Sequence, residues 1–272
     1  MHVSIPPPFD FELSVERYRT FSPDPANLWD EGVLYRAFDG LEAAISAAPG
    51  GVQVEPADAA LVEPVRRFLG ASFDLRAFAA FAAEDPTLAT LVRRFRGFRP
   101  SLVPDPFEML VSSVTAQQVS LRAALAIRTR LVERFGRRTG RAYAFPTRGV
   151  LARASAGELR ELGFSSRKAE YVLGFARSDV DFDALAHRSD DEIRERLTAL
   201  PGIGEWTVDW FLARHVGRPD AWPAGDLGLR KALAARYLDG RDVSVAETRA
   251  FGERFSPHRN LAAQYLLLSL RA

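Results

Sequence analysis

The sequence predicts an α+β protein made of two parts. Within residues 1–85, apolar and polar side chains alternate with the two-residue period of a strand, as they do at Val33, Tyr35 and Ala37. Across residues 86–272, apolar residues recur every three or four positions, which is typical of helices that bury one face. We therefore predict a small N-terminal α+β domain with an antiparallel sheet, followed by a mostly α-helical part.

The N-terminal part contains both strand and helix signals. Residues 9–15 alternate apolar and polar side chains, and residues 52–54 follow a turn-forming Pro-Gly-Gly segment. Both patterns predict strands. Two helical patterns, over residues 57–69 and 74–83, predict helices in the same domain. The sequence shows no group of reactive residues here, so it assigns this domain no role of its own.

Capping residues mark the helix starts of the second part. Asp105-Pro106 combines a capping aspartate with proline at the first helical position, and Glu108 occupies the third. That helix runs to Gln117-Gln118, and adjacent glutamines at a helix junction are usually no more than surface polar residues. The other caps that we predict are Ser120, Ser155 and Ser189, with Gly136 ending the helix that Ser120 begins, and a further helix follows Ser165-Ser166.

Residues 200–207, Leu-Pro-Gly-Ile-Gly-Glu-Trp-Thr, predict a hairpin between two helices. Pro201 and Gly202 end the first helix, and the second runs from about Glu205 to His215. The first turn of a helix points unpaired backbone N–H groups outward. This arrangement is suited to binding a phosphate.

The second helix of the hairpin is apolar on two sides. Val208, Phe211 and Leu212 form one stripe, and Trp206 and Trp210 form another on roughly the opposite side. Either the helix is buried all round, or its tryptophans line a cavity for a flat ligand, since an indole face stacks on planar rings and attracts cations. The sequence leaves both interpretations open, and full burial is the commoner situation.

Asp226 ends a Pro-Ala-Gly-Asp turn, just before a helix that begins near Leu229. An aspartate at this position is most often an N-cap. It could instead be a carboxylate held at the mouth of an aromatic pocket. Both interpretations stay open on the sequence alone.

Composition excludes several kinds of site. The sequence contains no cysteine, which excludes disulfides, thiol catalysis and thiolate-bound metal clusters. Its four histidines are scattered without metal-ligand spacing, so we expect no catalytic metal. No apolar run approaches a membrane span, and the N-terminus lacks signal-peptide features. We therefore expect a cytoplasmic location, on the nucleoid if the source is prokaryotic, and no membrane partner.

The net charge is only +1, but the charges are unevenly distributed. Residues 1–100 hold 10 arginines against 14 acidic residues, whereas residues 120–177 hold 13 basic residues against 4 glutamates. A basic middle segment is expected if one face of the protein meets a polyanion. Solvated arginine-rich helices would give the same pattern, and charge alone does not separate the two.

Three segments together resemble the helix–hairpin–helix superfamily of DNA base-excision glycosylases, and within it the 3-methyladenine-DNA glycosylase II branch. They are the hairpin at residues 200–207, the turn at residues 223–226 and the helix and junction at residues 106–120. The resemblance covers most of the chain. It implies two helical subdomains that carry a helix–hairpin–helix motif behind the N-terminal sheet domain. Weaker matches lie at residues 145–147, 162–170 and 257–259.

The resemblance implies a base pocket built around one carboxylate. Asp226 takes the place of the catalytic aspartate, and Trp206 and Trp210 would face the extruded base. Leu227 and Leu266 belong to the same predicted pocket, at positions where relatives are often more aromatic. A less aromatic pocket affects which bases are accepted rather than the type of reaction.

The resemblance also implies how DNA is held. Gln118 takes the place of the wedge that fills the vacated base stack, and Gln117 lies beside it in the cleft. We expect no cofactor beyond a monovalent cation, sodium or potassium, at the hairpin carbonyls. The residues that would bind a DNA phosphate through backbone N–H groups are Gly202, Ile203, Gly204 and Thr207.

The activity implied is that of a monofunctional glycosylase. It would flip alkylated purines of the 3-methyladenine and 7-methylguanine class out of double-stranded DNA and hydrolyse their N-glycosidic bonds, acting as a monomer in base excision repair. Lyase activity needs a lysine in the slot that Trp206 occupies, and the only lysines are Lys168 and Lys231. Two alternatives stay open: a non-catalytic DNA-binding protein of the same fold, and a glycosylase for oxidised or deaminated purines such as hypoxanthine.

Overall fold

The N-terminal part folds around a five-stranded antiparallel sheet. The structure is a computed structural model, and it describes residues 1–21 and 23–271. The sheet has the strand order β1-β5-β4-β3-β2, and tight turns join β2 to β3, β3 to β4 and β4 to β5. The predicted α+β class is confirmed. The strands are β1 His2–Ser4, β2 Leu28–Asp30, β3 Val33–Phe38, β4 Leu41–Ala48 and β5 Gly51–Glu55.

The strand predicted over residues 9–15 is wrong. This segment forms a short helix, α1 Phe11–Ser14, followed by α2 Glu16–Thr20. The Asp10 carboxylate caps α1 by accepting a hydrogen bond from the Leu13 backbone N–H at 2.9 Å. Phe11 and Val15, four residues apart, are both buried against the sheet. The alternating pattern is therefore compatible with a strand and also with a helix that buries one face. The Asp10 cap selects the helix.

Helices dominate the rest of the chain, and every predicted cap is confirmed. A two-stranded hairpin, β6 Arg137–Arg138 and β7 Tyr143–Ala144, interrupts them. In the described part of the chain, no helix has the length and apolar character that a membrane crossing requires. The helices are α3 Val62–Phe68, α4 Leu75–Ala82, α5 Pro86–Arg94, α6 Pro106–Ala116, α7 Leu121–Phe135, α8 Arg148–Ala152, α9 Ala156–Glu161, α10 Ser166–Arg177, α11 Phe182–Leu185, α12 Asp190–Thr198, α13 Glu205–Phe211, α14 Leu227–Tyr237, α15 Val245–Gly252 and α16 Arg259–Leu268.

Apolar side chains form three cores. A sheet core fills the N-terminal part, a first helical core joins α6, α7, α10, α12 and α13, and a second helical core joins α4, α5, α14 and α16. Helix α4 lies within the predicted N-terminal domain, residues 1–85, yet Phe78 packs into the second helical core. The apolar packing thus changes near residue 72, earlier than the boundary predicted between residues 85 and 86. The hairpin helix α13 and the aspartate-capped helix α14 belong to different cores, so the contacts between them lie where the two helical cores meet.

A buried ionic network joins the sheet to the first helical core. Glu108 on α6 accepts from Arg36 on β3 at 2.6 Å and from Arg128 on α7 at 2.7 Å. Arg128 also contacts Asp24 at 3.3 Å. Burial alone would raise the pKa of Glu108, but the two guanidinium groups outweigh it and lower that pKa. The sequence interpreted Glu108 only as a first-turn residue and missed this network.

Candidate active site

The hairpin between α12 and α13 presents two free backbone donors. In the described residues, the N–H groups of Gly202 and Gly204 have no hydrogen-bond acceptor. Ile203 N–H donates to the Leu200 carbonyl at 3.1 Å, and Thr207 N–H donates to the Gly204 carbonyl at 2.9 Å. The four residues predicted to grip a phosphate are therefore reduced to two, because Ile203 and Thr207 use their donors internally and Thr207 is only 1% exposed.

Gly202 is required by both backbone angle and space. Its φ is +87°, a left-handed conformation that other residues rarely adopt. A Cβ atom at this position would overlap the ring of Tyr171 on α10. The hairpin therefore packs directly on the Tyr171 ring. This contact fixes the distance between the hairpin tip and α10.

Gln117 fastens the end of α6 to the hairpin. Its side-chain Nε2 donates to the Gly202 carbonyl at 2.9 Å and to the Thr207 hydroxyl at 3.2 Å. The amide of Gln117 thus holds the hairpin, a contact that the sequence did not predict, and its place at the base pocket stays a prediction. A cation at the hairpin carbonyls, still a prediction, would have to share the Gly202 oxygen with this amide.

Gln118 lies at the exposed tip that follows α6. Its φ of +54° places it in the left-handed region, and its side chain is exposed. The apolar neighbours Val119 and Leu121 are 40% and 48% exposed, which the sequence did not single out. Lys168 on α10 supports the tip, because its Nζ donates to the carbonyl of Gln117 at 2.6 Å as well as to that of Thr115 at 3.0 Å.

Asp226 is an N-cap, the commoner of the two roles that the sequence left open, and it also contacts both tryptophans. Its Oδ1 caps α14 by accepting from the Leu229 backbone N–H at 2.9 Å. Its Oδ2 accepts from the indole Nε1 atoms of Trp206 and Trp210, each at 3.2 Å. Three N–H donors therefore hold the half-buried carboxylate in one orientation, at the junction of the two helical cores.

The two tryptophans differ in burial. Trp210 is only 7% exposed and belongs to the first helical core, whereas Trp206 is half-buried. Full burial therefore describes Trp210 better than a cavity-lining role does. Both indoles point their N–H edges at Asp226, so this aromatic face positions a carboxylate as well as bordering the cleft.

The two leucines predicted to line the base pocket, Leu227 and Leu266, differ in their exposure to solvent. Leu227, the first residue of α14, is 58% exposed beside Asp226. Leu266 is 0% exposed within the second helical core, so the prediction that it lines the pocket is wrong. The next residue, Leu267, is half-buried, contacts both helical cores and lies beside Gly228 near Asp226. Helix α16 is buried on nearly all sides, so its apolar pattern does not indicate which of its leucines lies nearest Asp226.

Arg214 is a site residue that the sequence missed. It lies in a π-helical turn, residues 212–216, that continues α13. Its guanidinium carbon is 5.5 Å from the centre of the Trp210 ring. Burial lowers the pKa of Arg214 well below its ordinary range, and the charge of Arg17 adds to that effect.

Comparison with known proteins shows the class to which this fold belongs, that of base excision DNA repair proteins. The chain belongs to the HhH-GPD superfamily of base excision DNA repair proteins, whose family model matches residues 111–257. The resemblance seen in the sequence is thereby confirmed.

Individual relatives carry consistent names. A Bacillus subtilis DNA-3-methyladenine glycosylase is 30% identical over 62% of this chain and 58% of its own length. DNA-3-methyladenine glycosylase 1 of Schizosaccharomyces pombe is 30% identical over 66% of this chain and 78% of its own length. The chain thus spans well under two thirds of the Bacillus relative. Among solved structures, a 3-methyladenine DNA-glycosylase from Archaeoglobus fulgidus superposes with a TM-score of 0.88 at 28% identity, covering 100% of this chain and 98% of that one.

Proposed function

We propose that the protein is a monofunctional DNA glycosylase that hydrolyses the N-glycosidic bond of alkylated purines, the 3-methyladenine and 7-methylguanine class, in double-stranded DNA. The observation that carries this proposal is the position of Asp226, which receives hydrogen bonds from two indoles and a helix N-terminus at the junction of the two helical cores. The names of the relatives support the same substrate class.

The chemistry needs a single well-oriented carboxylate. A base inside a duplex is unreachable, so the enzyme flips it out, at a cost of a few kcal/mol that damaged bases reduce. Departure of the base leaves positive charge on the sugar, as in glycoside hydrolysis generally. Asp226 stabilises that charge and assists the attack of water. An alkylated, cationic purine is already a good leaving group and requires no strong general acid.

Within the part of the chain that the structure describes, neither lysine is placed to form an imine with the sugar. Trp206 occupies the lysine slot of bifunctional relatives, and Lys168 donates to two backbone carbonyls at the end of α6. Lys231 lies on the exposed side of α14. The product is therefore an abasic site in an intact strand.

DNA would be held by the hairpin and by the tip after α6. The Gly202 and Gly204 N–H groups bind one phosphate, with a sodium or potassium ion at the hairpin carbonyls completing the contact. Gln118 enters the space that the flipped base vacates, with Val119 and Leu121 adding apolar surface. One chain supplies all of these groups, so the working unit is a monomer that acts on cellular DNA.

The test is a panel of duplexes containing 3-methyladenine, 7-methylguanine or hypoxanthine, treated with wild type and Asp226→Asn. Asparagine is as good an N-cap as aspartate, so this variant removes the charge and keeps the cap. We expect wild type to release alkylated bases without cutting the strand, and Asp226→Asn to be severely impaired. Asp239→Asn, at an exposed turn with φ of +51°, is the matched control and should match wild type.

Absence of base release, with wild type and Asp226→Asn indistinguishable, would reject the proposal. Salt-dependent DNA binding without turnover would then favour the non-catalytic alternative.

A further inference from the structure

Helix α10 supports both elements that hold DNA in the proposed function. Lys168 and Tyr171 are three residues apart, and therefore lie on the same face of this helix. The Lys168 Nζ donates to the carbonyls of Thr115 and Gln117 at the end of α6, at 3.0 Å and 2.6 Å. The Tyr171 ring packs against Gly202 of the hairpin. The tip after α6 and the hairpin thus rest on one helix.

Gln117 also joins the two elements directly. Its backbone carbonyl accepts from Lys168, and its side-chain amide donates to the Gly202 carbonyl and the Thr207 hydroxyl. A continuous series of hydrogen bonds therefore runs from Lys168 through Gln117 to the hairpin. Loss of the lysine would release the tip from α10, whereas the hairpin would keep its packing on Tyr171.

The tip depends on outside support. Gln118 has a φ of +54°, a left-handed conformation that persists in residues other than glycine only where the surroundings impose it. The last carbonyls of a helix also lack partners within the helix, and a positive charge is favourable beside them. Lys168 meets both needs, because its half-buried ammonium group is bound to the carbonyls that immediately precede Gln118.

The carboxylate of the site is held by other groups. Asp226 accepts from Trp206, Trp210 and the Leu229 backbone, and none of these three donors belongs to α10 or to the tip. A change at Lys168 should therefore disturb the tip and leave the orientation of Asp226 intact.

We propose that Lys168 is a positioning residue for the DNA wedge, holding Gln118 where its side chain fills the space of a flipped base; the inference rests on the proposed glycosylase function. Lys168 acts through the backbone of the tip and so governs base flipping rather than cleavage of the glycosidic bond. Its effect should depend on whether the lesion has a base pair and a stack to leave. A paired lesion must be unpaired and unstacked before it is flipped, whereas a mismatched lesion costs less to extrude.

The experiment measures single-turnover release of 7-methylguanine, at saturating enzyme, from two duplexes. One pairs the lesion with cytosine, and the other places it at the centre of three mismatched positions. We expect Lys168→Met to slow release from the paired duplex about tenfold, because two hydrogen bonds from a charged group are lost. Release from the mismatched duplex should slow less than about twofold. Lys168→Arg keeps the charge and the donors, and should recover most of the rate.

Arg177→Met is the matched control. Arg177 lies on the same helix, about 14 Å along its axis from Lys168. It donates to the carbonyls of Ala152 and Ala154 near the end of α8, at 3.0 Å and 2.8 Å. This variant therefore loses the same kind of support at a different helix end, and it should keep both rates.

A double variant gives a second measure. If Lys168 acts through Gln118, adding Lys168→Met to Gln118→Ala should slow the paired duplex no further than Gln118→Ala alone does. Additive effects of the two substitutions would contradict an action through the tip.

Thermal unfolding of each variant separates loss of folding from loss of flipping, and Lys168→Gln supplies the comparison if Lys168→Met does not fold. A lysine that merely supports the fold would slow both duplexes equally. That result, or no slowing of either duplex, would overturn the assignment while the proposed function stands. Absence of release by wild type from either duplex would instead remove the proposed function, and this inference with it.

Discussion

Trp210 and Asp226 are joined by a hydrogen bond in which the indole Nε1 donates to Oδ2 across 3.2 Å. Trp206 donates to the same oxygen at the same distance. The two bonds orient a carboxylate from α14 by means of side chains on α13, across the junction of the two helical cores. The geometry of the site therefore depends on how the two cores are placed relative to each other.

Replacing Trp210 with Phe should slow base release about tenfold, because a hydrogen bond to a charged group contributes about 1.5–3 kcal/mol while the aromatic bulk is retained. Single-turnover kinetics on a 7-methylguanine duplex measure the effect. Trp222→Phe is the matched control, since it removes an indole hydrogen bond to the Thr248 carbonyl within the second helical core. The control should lose stability but not activity. Equal rates for Trp210→Phe and wild type would mean that the indole donor does not orient Asp226.

Replacing Gln117 with Met should weaken DNA binding about tenfold, because the side chain loses two hydrogen bonds that hold the hairpin to α6. The measurement is the Kd for a duplex containing an abasic-site analogue at fixed salt. Gln53→Met, on β5 of the sheet, serves as the control. A variant that binds as tightly as wild type would show that the hairpin keeps its position without this amide.

Gly202→Ala and Gly174→Ala should have opposite effects on the free energy of unfolding. At Gly202, a Cβ meets the Tyr171 ring in a left-handed backbone conformation, which costs about 1–3 kcal/mol. Gly174 is exposed within α10 and has no atom within 4 Å of an added Cβ, so alanine there stabilises by about 0.5–1 kcal/mol. Urea unfolding measures both. Destabilisation by both variants to the same extent would contradict the packing described for the hairpin.

Asp105 should make stability depend on pH. Burial, helped by the nearby Glu108, raises the pKa of Asp105 from 3.8 to about 6. Its folded-state pKa is raised, so its contribution is fully present below pH 4 and is lost as pH rises through 6. The free energy of unfolding of wild type relative to Asp105→Asn should therefore fall by about 2.4 kcal/mol between pH 4 and pH 7.

The Asn variant keeps the cap of α6, and the difference between the two proteins removes the opposite contribution of His215. Burial lowers the pKa of His215 to about 4, so stability from that residue is lost as the pH falls. A difference that is constant between pH 4 and pH 7 would show that Asp105 titrates normally.

Local signals in the sequence predicted local structure well. Asp105, Ser155 and Ser189 each cap a helix through atoms two or three residues away, so a short window contains the whole interaction. The alternating segment at residues 9–15 misled because the deciding bond, from Leu13 N–H to Asp10, is a side-chain cap that alternation does not reveal.

Features that depend on contacts between residues far apart in the chain could not be predicted from the sequence. Arg36 and Glu108 are 72 positions apart, and the register of α16 that buries Leu266 depends on helices packed from several sides. Arg214 belongs to this group, since the charged groups that act on it come from distant parts of the chain. Of the predicted site, the structure brings together Asp226, Trp206 and Trp210, and the functional roles of these residues stay predictions until they are tested.

The network of Asp24, Arg36, Glu108 and Arg128 has a mechanical consequence. Pulling the sheet away from α6 and α7 would break one buried charge pair after another and leave guanidinium and carboxylate groups stranded, at a cost of about 3–5 kcal/mol for a single pair. The sheet thus anchors helix α6, whose C-terminal end leads into the tip at Gln118. Under the proposed function, a duplex pressed against that tip would meet a helix whose first turn is tied to the sheet by buried charge pairs.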